Sequence, residues 1–163
     1  MGIGIGLGGG GSSSAVASSG EIEFVDCVEA AATESNGLSY VPMSNAAIRT
    51  VQFSFVAPST GTYDIQVYYK MSAANSGDVE VHLDYLAVAA TEDPAGALTT
   101  GTEFTFAPGN DANLHVLSTA TSANMSVAAT AGDQVICALI RTNDAADTHT
   151  GDLRITRIRW EEV

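Results

Sequence analysis

From Glu21 onward, apolar residues recur at every second position in short runs broken by Gly, Pro, Asn and Asp. In VQFSF, Val51, Phe53 and Phe55 alternate with polar neighbours, and in YDIQVYY, Tyr63, Ile65, Val67 and Tyr69 do the same. A period of two sends successive side chains to opposite faces, so both runs are predicted to be half-buried strands. APSTGT between them carries Pro and Gly turn chemistry, and the two runs are expected to pair as a hairpin. DVEVHLDYLAV (78–88) is the most regular run: Val79, Val81, Leu83 and Tyr85 fall on one face, Glu80, His82 and Asp84 on the other. GTEFTFAP, ANLHVL, NMSVAA, DQVICALIRT and DLRITRIRW give five further strands, each flanked by turn residues. DQVICALI is apolar at nearly every position from Val135 to Ile140, the pattern of a central strand covered on both faces.

The last run breaks the alternation, because Leu153 and Ile155 are odd-numbered whereas Ile158 and Trp160 are even-numbered. A β-bulge near Thr156 and Arg157 would return all four to one face; otherwise the strand serves two contact surfaces. Only EAAATES (29–35) has a helical texture, and it is too short for more than a turn or two. Short strands at this spacing, without a long helical period, predict an all-β antiparallel β-sandwich of the jelly-roll kind.

Residues 1–20 differ from the rest. Seven of the first eleven residues are Gly, and Ile3, Ile5 and Leu7 alternate with them. The expected organisation is a Gly/Ser-rich arm over 1–20 and a sandwich domain over 21–163. Gly4, Gly6 and Gly9 spell GxGxxG, but no strand precedes them and no helix follows, so a dinucleotide loop is not expected. No Lys or Arg precedes Ala15-Val16-Ala17, which argues against a secretion signal. In an extended arm, Gly2, Ile3, Gly4, Ile5, Gly6 and Leu7 would set three apolar side chains on one edge and bare backbone on the other, a form suited to docking on a neighbour.

Charge narrows the range of partners. Nineteen acidic against six basic residues give a net charge of −13, which disfavours nucleic acid and anionic membrane surfaces. No apolar run reaches the 18 or so residues of a membrane-spanning helix. Four of the six basic residues, Arg141, Arg154, Arg157 and Arg159, lie in the last 23 positions and form a locally basic strip.

Catalytic chemistry is not apparent. His82, His115 and His149 lack metal-ligand spacing and are read as solvated or hydrogen-bonded surface histidines. Cys27 and Cys137 sit far apart in apolar runs, as buried free thiols would. No nucleophile with its base is apparent, and Glu92-Asp93 and Glu161-Glu162 read as solvated charge. The expectation is a protein that is not an enzyme and has no cofactor. The loop 141–152, RTNDAADTHTGD, is dense in oxygen ligands that could hold Ca²⁺, as a secreted adhesin would need. It is read instead as a polar connection whose Asp and Thr side chains cap their own backbone.

AGDQVICALIRTNDAADTHTGDLRITRIRW (131–160) resembles the closing strands and loop of jelly-roll domains in tailed-bacteriophage virion proteins, through Gly132, Asp133, Arg141, Asp144, Thr148, Gly151 and Asp152. This resemblance implies a non-enzymatic structural protein on the particle surface: a capsid decoration protein, a head fibre or a tail adaptor. It would self-associate as a homotrimer and dock on a major capsid or tail protein through the N-terminal arm. Arg154, Arg157 and Arg159 would then meet carboxylates of a neighbouring subunit. FSFVAPSTGTYDIQVYYK is similar, in turn, to carbohydrate-binding β-sandwich modules of the galactose-binding-like kind, which implies a glycan partner. Tyr63 and Tyr69 share the parity of Ile65 and Val67 and are read as core, leaving Tyr40, Tyr68 and Trp160 as sugar platforms.

Overall fold

The alternating runs become paired strands. A computed structural model describes residues 19–22, 24–27, 32–33, 39–74, 76–109 and 113–163; the arm residues Gly2 to Leu7 lie outside them. Among the described residues twelve strands follow one another: β1 (Ser19–Ile22), β2 (Phe24–Cys27), β3 (Ala32–Thr33), β4 (Ser39–Met43), β5 (Arg49–Val56), β6 (Gly61–Met71), β7 (Val79–Val88), β8 (Phe104–Phe106), β9 (His115–Leu117), β10 (Ser126–Ala129), β11 (Gln134–Arg141) and β12 (Leu153–Glu162). They form two antiparallel sheets packed as a sandwich. In the seven-stranded sheet, β10 and β9 share one edge of β6, β12 pairs with its other edge, β4 and β1 share the far edge of β12, and β3 lies outside β4. The five-stranded sheet runs β2-β5-β11-β7-β8. β1 takes Ser19 and Gly20 into the sheet opposite Glu161 and Trp160, so the boundary expected after residue 20 falls inside a strand.

The inner faces meet as the alternation requires. Val51, Phe53, Phe55, Val81, Leu83, Val135, Cys137 and Leu139 from one sheet pack against Tyr63, Ile65, Val67, Tyr69, Leu153, Ile155, Ile158 and Trp160 from the other. Burying a large apolar side chain contributes about 1.5–3 kcal/mol. The register of β12 on β6 shifts between Ile155 and Arg157, which is the bulge that the change of parity implied. Leu153, Ile155, Ile158 and Trp160 are all buried as a result.

Four expectations are corrected. β5 and β6 do not form a hairpin: β5 pairs with β2 and β11, β6 with β9, β10 and β12, and the turn between them crosses from one sheet to the other. Both runs are apolar on one face only, so each gains more by facing the other across the core than by lying beside it. Tyr63 fixes this arch, since its hydroxyl donates to the Ser59 carbonyl and accepts from the Ser59 N–H. β11 is central in its sheet, but only one face is fully covered, and Ile136 and Ile140 are half-exposed on the outer face. In the EAAATES segment, the described Ala32 and Thr33 form a strand paired with β4, where edge pairing prevails over a weak helical propensity. Trp160 is 7% exposed, stacked on Phe55 at 5.4 Å and set edge-on to Tyr63 at 5.6 Å, so it is core and not a platform.

Candidate functional site

Segments 44–48, 72–74, 76–78 and 142–152 meet at one end of the sandwich, and a single side chain organises the last of them. Arg141 has the parity of Val135, Cys137 and Leu139 and points inward, with no exposure. Its Nε and Nη2 donate to the two Asp147 carboxylate oxygens at 2.6 and 2.9 Å. Nη1 donates to the carbonyls of Met43 and Gly151, and Nη2 also to that of His149, all at 2.7–2.8 Å. A buried guanidinium is tolerable only when its donors are matched in this way. The acid-rich loop therefore spends much of its chemistry on itself: Asp144 accepts from the Ala146 N–H at 2.8 Å and Thr148 from the Asp78 N–H at 2.9 Å. Asp144 thus caps the loop's own backbone, whereas Thr148 and Asp147 bond to other segments.

The outer face of the five-stranded sheet lies beside that clamp. Antiparallel register sets Ser54, Ile136 and Leu86 in one row, Gln52, Ala138 and Asp84 in the next, and Thr50, Ile140 and His82 in a third. A depression of about 290 Å³ is bordered by Gln52, Ser54, Gln134 and Ile136. A second, of about 360 Å³, is bordered by Ile48, His82, Glu103, Ile140, Thr142, Asn143 and Asp144. The two lie along β11 about 13 Å apart, the length of four extended residues.

The far end is acidic and partly buried. Glu80 is 7% exposed and His82 9%. The Thr142 hydroxyl donates to Glu80 at 2.6 Å, which favours the ionised form, yet burial and the adjoining Asp144 and Glu103 carboxylates outweigh it and raise the Glu80 pKa. Asp144 moves the other way, held down by the backbone N–H of Ala146 and by Glu80. Glu103 is brought beside His82 because the chain can pass close to β7 at Gly101. A Cβ there would lie 2.2 Å from the Leu83 carbonyl oxygen, and the Gly101 N–H donates to Asp84 at 2.8 Å.

The arginines of the C-terminal strip separate. Arg141 is interior, whereas Arg154, Arg157 and Arg159 project from the outer face of the seven-stranded sheet, opposite Lys70, Tyr68 and Gln66. The Arg154 and Arg157 guanidinium groups lie 4.7 and 3.9 Å from the Tyr40 and Tyr68 ring centres, and Arg157 reaches Glu21 at 3.3 Å. Both tyrosines thus carry a cation on the ring face a sugar would use. Glu92 and Glu161 are drawn into capping and pairing, with the Ala89 N–H and with Gln66. The surface-histidine reading fails for two of three: His82 and His149 are buried, His149 accepting from the Gly151 N–H. Sequence reasoning passed over Gln52, Gln134 and Glu103 and misjudged the burial of His82. The Glu80-His82-Asp84 alternation was visible, but not the strands that bring Glu103 and Thr142 against it.

No protein-family model and no curated protein matches the chain. Solved structures do. The family 35 carbohydrate-binding module of Cellvibrio japonicus Abf62 superposes with a TM-score of 0.55 at 11% identity, over 88% of this chain and 92% of that one. The fold is an antiparallel β-sandwich similar to that of this module. A family 35 module from Clostridium thermocellum gives 0.56 at 16% identity, over 90% and 100%. The C-terminal CBM6 of LamC from Zobellia galactanivorans gives 0.53 at 17%, over 88% and 99%. At these identities the likeness shows the β-sandwich fold alone, and function must be argued from the face itself.

Proposed function

We propose that this chain is a non-catalytic carbohydrate-binding domain that holds a neutral oligosaccharide along the outer face of the five-stranded sheet. The observation that carries the reading is the pair of half-exposed isoleucines on the outer face of β11, Ile136 beside the amides of Gln52 and Gln134 and Ile140 beside Thr142 and Asn143. Sugar rings present C–H faces and hydroxyls that both donate and accept; an aliphatic floor suits the first and side-chain amides the second. The shared module fold supports it. The net charge of −13 and the carboxylates at one end disfavour anionic glycans. Calorimetry against neutral and uronic-acid oligosaccharides tests this: neutral ligands bind, and Gln52→Ala with Gln134→Ala weakens them at least about tenfold without lowering Tm. Binding confined to uronic acids, or unchanged in that double variant, contradicts the reading.

A second reading draws on a different face. The outward row of Arg154, Arg157 and Arg159 on an acidic chain would suit a carboxylate-bearing neighbour, another copy or a phage capsid or tail protein, as the virion resemblance implies. Replacing the three by Ala tests it through self-association or incorporation into particles, and leaves glycan binding intact.

A further inference from the structure

The two outer faces of the sandwich do not share the basic residues equally. The chain has six Lys and Arg against nineteen Asp and Glu, and four of the six, Lys70, Arg154, Arg157 and Arg159, stand on the outer face of the seven-stranded sheet. Of the other two, Arg141 is interior and Arg49 lies in β5. The described acids on this face are engaged. Glu21 meets Arg157 at 3.3 Å, Glu161 accepts from Gln66 at 2.7 Å, and the nearly buried Asp64 accepts from the Thr119 N–H at 2.8 Å. The arginines are held in place, since Arg154 and Arg157 rest over the Tyr40 and Tyr68 rings. Less side-chain freedom is therefore lost when a partner arrives. Val116 on β9 stands opposite Tyr68 in register and is 43% exposed, and Leu114, two positions earlier, is 52% exposed. Tyr and Arg beside exposed aliphatic side chains make up the composition of a protein–protein contact, whose centre is enriched in both and depleted in acids.

We propose that this face docks a second copy of the same chain, through a different and acidic side of that copy. Charge complementarity selects the partner. With four of the six basic residues gathered here and Arg141 interior, Arg49 is the one basic residue left to the other sides of a second copy. Two copies meeting by this same face across a two-fold axis would set cations against cations, so the contact joins unlike surfaces. A heterologous contact of this kind closes into a ring or extends as a chain. The proposal rests on the second reading above, a carboxylate-bearing neighbour at the arginine row, and commits that reading to one partner. It is independent of glycan binding on the opposite sheet.

The test is sedimentation equilibrium on the full chain, wild type and Arg157→Gln/Arg159→Gln. The mass of the wild type rises with concentration, and the double variant associates at least about tenfold more weakly. Added in excess to the wild type, the double variant gives one-to-one heterodimers and stops growth, because its acidic side still docks on a wild-type face while its own face accepts nothing. Val116→Glu, at an exposed edge position, repeats the loss without touching an arginine, and unchanged Tm values verify that both variants fold. Three results overturn the proposal: a wild type that stays monomeric up to about 1 mM, association that both variants leave unchanged, or a wild-type dimer that excludes the double variant. Poly-L-glutamate separates failure of the proposal from failure of the wider reading. If it binds a monomeric wild type and not the double variant, the face takes a different acidic protein and the second copy is wrong; if it binds neither, the carboxylate-bearing neighbour is wrong as well.

Discussion

Arg141 shows how much one side chain can organise. With both carboxylate oxygens of Asp147 and three carbonyls as partners, it joins β4, β11 and loop 142–152. The Arg141 and Asp147 side chains are fully buried, so Arg141→Met leaves an unpaired buried carboxylate. A loss of about 3–5 kcal/mol in urea unfolding is expected, and a loss below about 1 kcal/mol would contradict this role. The position was legible, since Arg141 continues the inward parity of Val135, Cys137 and Leu139. Its partners were not, because an inward Arg calls for acceptors that only the folded loop supplies. Cys137 was read correctly as a buried free thiol; burial pushes its pKa from 9.0 up to about 12. The unfolded chain therefore ionises first, so this site's contribution is complete below about pH 9 and declines as pH rises toward 12. The full difference corresponds to about 4 kcal/mol. The stability gap between wild type and Cys137→Val should narrow above pH 9, and a constant gap would contradict the assignment.

Among the elements, β12 carries the clearest link from sequence to structure. A parity change between Ile155 and Ile158 called for either a bulge or a strand that serves two surfaces, and the register places a bulge there. Deleting Thr156 closes the bulge and leaves Ile155, Ile158 and the single Trp160 facing inward, so the variant is expected to fold. Deleting Arg159 turns Trp160 outward, at a cost of about 3–5 kcal/mol and with red-shifted tryptophan fluorescence. Equal behaviour of the two deletions would contradict the bulge. The arch from β5 to β6 was misread for an equally physical reason. Pro/Gly turn chemistry reports that the chain reverses, not whether the next strand joins the same sheet. The exposed outer side of β11 was hidden likewise, since Ile136 and Ile140 look like core residues until the faces of the sheet are known.

On the scale of the whole molecule, the two outer faces differ in chemistry. The seven-stranded sheet shows Arg154, Arg157 and Arg159 with Tyr40 and Tyr68, and the five-stranded sheet shows half-exposed isoleucines with amides and an acidic end. The sandwich class was legible because alternation is local. The two depressions were not, because Gln52 and Gln134 border one, and Glu103 and Asn143 the other, only through long-range register. The aromatics that drew attention as platforms are buried, as Trp160 is, or covered by arginines, as Tyr40 and Tyr68 are. The central claim is therefore that glycan recognition belongs to the face without them. Titrating isotopically labelled protein with a neutral oligosaccharide ligand and following backbone amide shifts tests this most directly. The shifts are expected at Gln52, Ser54, Gln134, Ile136 and Ile140; shifts centred on Tyr40 and Tyr68, or none with any neutral oligosaccharide, would contradict it.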